Sequence, residues 1–181
     1  SSSVTGNHDA YRAGVNFRSG MRLLETTLRI HSQQGKRTLI DELSFHTAGQ
    51  GGDPYQFSRL RVEKNRWFRY DMTLRVKQFF NQLPSLWSGE RAVRSERTFQ
   101  NHDLTLFPGA RVEVLLGYDR NTQSGPGFTT EGIDRSFGGF ERSNFLRLAN
   151  DLRRANNQYR AGVNFRLAGL AVTFLQALDN Y

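Results

Sequence analysis

The run FRYDMTLRVK at 68–77 alternates strictly with a period of two. Phe68, Tyr70, Met72, Leu74 and Val76 fall on one side of an extended chain and Arg69, Asp71, Thr73, Arg75 and Lys77 on the other, because successive strand side chains point to opposite faces. A helical period would mix the two sets. The segment is therefore a β-strand with one apolar and one charged face, and whatever it builds must offer a different medium to each.

The same division recurs. Leu24, Thr26, Leu28 and Ile30 oppose Glu25, Thr27, Arg29 and His31, and Val112, Val114, Leu116 and Tyr118 oppose Arg111, Glu113 and Asp119. The octapeptide YRAGVNFR occurs twice, at 11–18 and 159–166. Its first copy divides into Tyr11, Ala13, Val15 and Phe17 against Arg12, Gly14, Asn16 and Arg18; its second into Tyr159, Ala161, Val163 and Phe165 against Arg160, Gly162, Asn164 and Arg166. Chance recurrence of such a stretch is negligible, so the copies point to a duplicated or repetitive architecture, at a spacing too long for a solenoid. VNF-RSG-MRLLET, LTLF-PGA-RVEVLL and VNF-RLAG-LAVTFL each read as two strands joined by a tight glycine-containing turn, which makes the hairpin the repeating unit.

Longer polar or glycine-rich stretches separate the hairpins and are expected as loops at 47–56, 80–97 and 119–143. Short turns alternating with long loops is the asymmetry of outer-membrane barrels, and loops of this length are uncommon in compact soluble domains. Residues 143–158 alternate Leu146, Leu148 and Leu152 but also place Phe145, Leu148, Ala149 and Leu152 at helical spacing; strand is the favoured reading. Strict up-and-down counting fails around 47–66, which implies a misplaced boundary there.

The formal net charge of +8 comes from 22 arginines and 3 lysines against 17 acidic residues. A solvated basic face uses more lysine. Arginine at alternate strand positions, with Glu25, Asp71, Glu113 and Asp151 at similar positions, fits a polar interior in which guanidinium groups pair with carboxylates, and no nucleic-acid partner is expected. The absence of cysteine removes disulfides, thiolate metal sites, cysteine nucleophiles and covalent haem attachment through C-x-x-C-H. No stretch approaches the length of a membrane helix, whereas a barrel strand needs only about 9–11 residues. The opening SSSVTGNHDA has no signal-peptide character, which suggests a processed chain or an excised piece.

No local motif carries catalysis. His8, His31, His46 and His102 lack metal-ligand spacing, and in His102-Asp103 the neighbours point to opposite faces, so the pair is no ready-made dyad. G-x-S-x-G is absent, and SGPGF at 124–128 neither opens a helix nor carries a phosphate-binding lysine. No catalytic, cofactor-binding or metal-binding residue is assigned and no cofactor is expected. Tyr11, Phe17, Trp67, Phe79, Phe80, Trp87, Phe107, Tyr118 and Tyr159 sit near expected strand ends, where interfacial aromatic girdles would place them.

In LTLFPGARVEVLLGYDRNTQSGPG (104–127), RYDMTLRVKQFFNQLP (69–84) and the YRAGVNF copies the chain resembles large bacterial outer-membrane β-barrels, most nearly the MtrB/PioB-type porin sheaths that surround a multihaem cytochrome. The resemblance implies an all-β, antiparallel transmembrane β-barrel of up-and-down hairpins over residues 1–181, or a section of a larger one. LAVTFLQALDNY loses its alternation into Asp179-Asn180, as at the start of another loop. The implied location is the bacterial outer membrane, the implied function a non-enzymatic polar pore or sheath, and the implied partners outer-membrane lipid and a periplasmic or lumenal protein such as a multihaem cytochrome.

Closing such strands in lipid sends every second side chain to each medium. Arg12, Arg18, Arg69, Asp71, Arg75, Arg160 and Arg166 would then line the lumen. Phe68, Tyr70, Met72, Leu74, Val76, Val112, Val114, Leu116, Val163 and Phe165 would face lipid. Two alternatives stay open on the residues alone: a soluble β-sandwich or barrel that binds a ligand through its loops, and an outer-membrane hydrolase with an active site on the rim.

Overall fold

The computed structural model describes residues 20–32, 39–82, 92–137, 140–167 and 169–181, with backbone only at 80–82, 92–94, 127–137 and 140–149. The chain is all-β. Among the described residues eight strands form one antiparallel sheet in chain order: β1 (Arg22–His31), β2 (Glu42–Gly51), β3 (Tyr55–Lys64), β4 (Phe68–Gln82), β5 (Ala92–Leu106), β6 (Val112–Phe137), β7 (Phe140–Leu167) and β8 (Leu170–Asn180). Each strand pairs with its sequence neighbours, and β1 and β8 do not pair with each other, so the sheet is an open up-and-down meander. No helix among the described residues is long and apolar enough to cross a membrane, which has no bearing on crossing by strands.

Local chemistry explains the turns. Between β5 and β6, Phe107 takes a left-handed φ of 56° and the Gly109 N–H donates to the Glu113 carboxylate at 2.7 Å. Between β3 and β4 the Trp67 N–H donates to the Lys64 carbonyl at 3.0 Å, and Asp41, just before β2, accepts from the Asn65 N–H and from Lys64 Nζ at 2.8 Å each. The LTLF-PGA-RVEV and VNF-RLAG-LAVTF hairpins both form, and 143–158 is strand within β7. The first YRAGVNFR copy lies outside the described residues, as does most of the hairpin turn that follows it.

The expected loops are largely strand. Residues 47–56 belong to β2 and β3 except for the turn at 52–54. Glycines that read as loop signals serve a bend inside β2: Gly49 has a φ of +70°, and a Cβ there would lie 2.2 Å from the Tyr55 carbonyl oxygen. The extra hairpin this creates also repairs the strand count around 47–66. Residues 119–137 continue β6 and 140–143 begin β7, where polar strands without alternation satisfy their backbone groups on each other. In 80–97, β4 runs to Gln82 and β5 begins at Ala92, which leaves only 83–91, outside the described residues. The Asp179-Asn180 end pairs with Gln158 and Asn157 as strand, where loss of alternation suggested a loop.

Beyond Ser124, β6 leaves β5 and pairs with β7 alone, from Gly125 opposite Leu152 to Phe137 opposite Phe140. This two-stranded ribbon runs roughly 40 Å beyond its last pairing with β5 at the usual strand rise. Asp151 lies in the ribbon, on the same side of β7 as Tyr159, and so is not among the carboxylates that meet the sheet's arginines.

Register decides the faces. One row crosses all eight strands as Leu28, Phe45, Leu60, Met72, His102, Tyr118, Tyr159 and Leu178. The next row on the opposite face runs Thr27, His46, Arg59, Thr73, Asn101, Asp119, Gln158 and Asp179. No large apolar side chain is buried among the described residues: Leu24 is 75 % exposed, Phe174 66 % and Leu178 69 %. The sheet is therefore a single layer whose apolar face has no protein layer of its own among the described residues.

Candidate functional site: the charged face of the sheet

Rows of alternate residues make the charged face. In the Arg29 row the order is Arg29, Ser44, Arg61, Asp71, Asp103, Gly117, Arg160 and Ala177 across β1 to β8. Arg69, Asp71, Arg75, Arg160 and Arg166, named from the alternation, all fall on this face. Arg12 and Arg18 lie outside the described residues. Phe68, Tyr70, Met72, Leu74, Val76, Val112, Val114, Leu116, Val163 and Phe165 fall together on the other face, where Val114 pairs with Val163 and Val112 with Phe165.

Most carboxylates of the charged face are held by cations from neighbouring strands. Glu63 receives Arg69 at 3.1 Å and Arg61 at 3.4 Å, Asp71 receives Arg59 at 3.4 Å, and Glu113 receives Arg166 at 3.1 Å and the Asn164 amide at 2.8 Å. Glu25 meets His46 at 3.1 Å. Carboxylate–guanidinium pairs are stronger and more directional than neutral hydrogen bonds, and each one here links adjacent strands or positions two apart on one strand. Glu113 is 7 % exposed and its two oxygens accept from β7 and from the 107–111 turn.

Arg160 spans farther. Its Nη2 lies 2.9 Å from Asp103 on β5 and 3.0 Å from Asp119 on β6. To reach Asp103 the side chain lies across β6 over Gly117, which occupies the same row between them. A Cβ at Gly117 would sit 2.9 Å from Arg160 Nε and 3.0 Å from its Cζ, so only glycine leaves this route open with no displacement. Asn101 also donates to Asp119, which places one carboxylate at the meeting of three strands.

His102 and Asp103 separate as the strand period requires. Asp103 joins the Arg160 network, whereas His102 lies on the apolar face, its Nδ1 2.8 Å from the Tyr70 hydroxyl. Its ring stands 6.2 Å from Tyr70 and 5.7 Å from Tyr118, and Tyr118 stands 5.1 Å from Tyr159. The four rings form a band across β4 to β7 with polar tips, since the Tyr118 hydroxyl also donates to Asn157 at 2.9 Å. Tyr118 and Tyr159 are thus mid-strand, whereas Trp67 and Phe107, with rings 6.5 Å apart, lie at the turn end, and Tyr11, Phe17 and Trp87 lie outside the described residues.

Sequence reasoning missed Arg59, Arg61, Glu63, Asp103, Asp119 and Asn164 as members of the network. The alternation already puts Asp119 and Asn164 on polar faces, and carried to β3 and β5 it would have found the faces of the other four, but not the partners, which depend on register. No group of three or more potential metal ligands occurs among the described residues. What the face offers chemically is an extended, largely self-neutralised lattice of ion pairs, open to water on one side. Comparison with family models, with characterised proteins and with solved structures finds no match.

Proposed function

We propose that this chain is a wall of a bacterial outer-membrane β-barrel, non-enzymatic, with the apolar face against lipid and the charged face lining a polar passage. The passage is open to solutes or filled by a partner such as a multihaem cytochrome, as the family resemblance implies. The observation that carries the reading is a single sheet with one mainly apolar and one mainly charged face and no large apolar side chain buried among its described residues. Exposed apolar patches beyond a few hundred Å² mark a surface made to be covered.

The course of the apolar belt supports a barrel over a flat covered sheet. On β1 its residues run from Leu24 to Ile30, straddling the Leu28–Leu178 row with the longer part toward the start of β1; on β8 they run from Leu170 to Leu178, wholly on the side of that row toward the end of β1. The belt therefore crosses the strands obliquely. Barrel strands tilt by about 35–45° from the axis, so a belt level with a membrane must drift along successive strands in this way. Among the described residues β1 and β8 are the outermost strands, and backbone groups along a strand edge would find no partner in lipid, so the barrel closes by joining these edges directly or through further strands.

The test is refolding. The chain, or the parent containing it, is expected to fold only in detergent or lipid and to fractionate with outer membranes. A monodisperse folded monomer in plain buffer would overturn the reading and favour the soluble alternative.

A further inference from the structure

Apolar residues interrupt the charged face, and two of the places contrast. At the first, Leu175 lies over Gly162, its Cδ1 2.8 Å from where a Cβ would stand, so the leucine fills the hollow left by the glycine. At the second nothing is filled. Ala48, Phe57, Arg75 and Phe99 share one row across β2 to β5, so that an arginine stands between two phenylalanines of the flanking strands. Next to them Tyr55 pairs with Lys77, whose Nζ lies 5.7 Å from the Tyr55 ring centre. Together they line a cavity of about 420 Å³.

The electrostatics of this corner differ from the rest of the face. Arg75 and Lys77 make no ion pair among the described residues, although most carboxylates elsewhere on the face are paired. The row that Lys77 heads continues through Arg97, Gln123 and Arg154 and contains no carboxylate. Arg97 gives its hydrogen bond to the Gln123 amide oxygen at 3.1 Å. Two cations with uncommitted donors thus border exposed aromatic surface: Tyr55 is 63 % exposed and Phe99 40 %.

We propose that this corner binds an organic anion with an aromatic or aliphatic body, of the class of the aromatic monocarboxylates. The body would lie on Phe57 and Phe99, and its carboxylate would meet Arg75 and Lys77. A recess of this volume is within the range of small-molecule sites, which combine apolar lining with a few polar groups that fix orientation. Inorganic anions would gain only the charge, and neutral aromatics only the contact. The site needs this face to be accessible to solute and does not depend on whether lipid or protein covers the opposite one.

Equilibrium dialysis of the folded chain in nonionic detergent, against protein-free micelles, tests it with 2-naphthoate, 2-naphthalenemethanol and acetate as probes. Expected are saturable naphthoate binding, affinities at least 10-fold weaker for the other two, and a loss of at least 10-fold in the Arg75→Gln/Lys77→Gln variant. Arg29→Gln, on the same face at β1, should leave affinity unchanged, and strand circular dichroism confirms that each variant is folded. Equal binding of the alcohol would reduce the site to greasy partition, and equal binding of acetate would reduce it to charge. Either result overturns the proposal, as does undiminished naphthoate binding by the folded double variant.

Discussion

Replacing Gly117 by alanine separates the two things the Arg160 bridge depends on. The new methyl would stand 2.9 Å from Arg160 Nε, but the atoms it meets are the far end of a flexible side chain, so the steric cost of moving them is small. The cost lies in what the guanidinium leaves behind: contacts of 2.9 Å to Asp103 and 3.0 Å to Asp119. Hydrogen bonds to charged groups contribute about 1.5–3 kcal/mol each when sheltered. Here Arg160 is 25 % exposed, Asp119 32 % and Asp103 47 %, so water and salt screen both pairs. A loss of about 1.5–2 kcal/mol for the two together is the expectation. Against it, alanine is better than glycine within a strand by about 0.5–1 kcal/mol. Gly117→Ala should therefore destabilise by about 1 kcal/mol in the parent chain. In an Arg160→Gln background the pairs are already gone, and the same substitution should stabilise by about 0.5–1 kcal/mol. Urea unfolding of the four chains in lipid or detergent, followed by tryptophan fluorescence, gives the cycle. A reversal of sign between backgrounds is the expected result; a coupling below about 0.5 kcal/mol would refute the route of Arg160 over Gly117.

On the apolar face, Met72→Arg should destabilise the membrane-folded protein by about 2–4 kcal/mol if position 72 is near the midplane, while Arg75→Met does much less. A fluorophore at 72 should be quenched by lipid-dissolved quenchers and one at 75 by aqueous ones, and protection of 72 from both would replace lipid by a protein layer. Gly49→Ala should cost more than about 2 kcal/mol, because the Cβ would meet backbone at 2.2 Å in a left-handed conformation; unchanged urea midpoints would show that β2 does not bend there. Removing the Asp41 carboxylate as Asp41→Ala should cost about 1 kcal/mol and raise amide exchange at Asn65, whose N–H it accepts. If the reconstituted passage conducts, currents should favour anions, since arginine exceeds carboxylate on its wall, and cation preference would reverse the assignment of the faces.

Much of this molecule was legible locally. A period of two is a property of neighbouring residues, so the strand at 68–77, its apolar and charged sides, and the separation of His102 from Asp103 could be read without knowing any partner strand. The turns at Pro108-Gly109 and Gly169 were equally local, because glycine and proline declare themselves. Where strands are polar on both sides that signal vanishes. The β6 arm of the ribbon carries Gly, Pro, Thr and Ser with no alternation, and what makes it strand is the mutual satisfaction of two long backbones, which only pairing supplies. At 47–56 the glycines misled for the opposite reason: Gly49 permits a bend within a strand that comes too close to Tyr55 for any side chain.

The network on the charged face was beyond local reading for a further reason. A carboxylate's partner is set by register, and a slip of one residue exchanges every side chain between faces. Nothing within β7 says that Arg160 reaches Asp103, a residue separated from it by a whole strand. That contact exists because the pairing of β5, β6 and β7 puts Asp103, Gly117 and Arg160 in one row, with the residue between them lacking a side chain. Alternation along each strand determined which face each residue belongs to, whereas the pairing of strands decided which charges meet, because hydrogen bonds between strands fix positions that the chain leaves far apart.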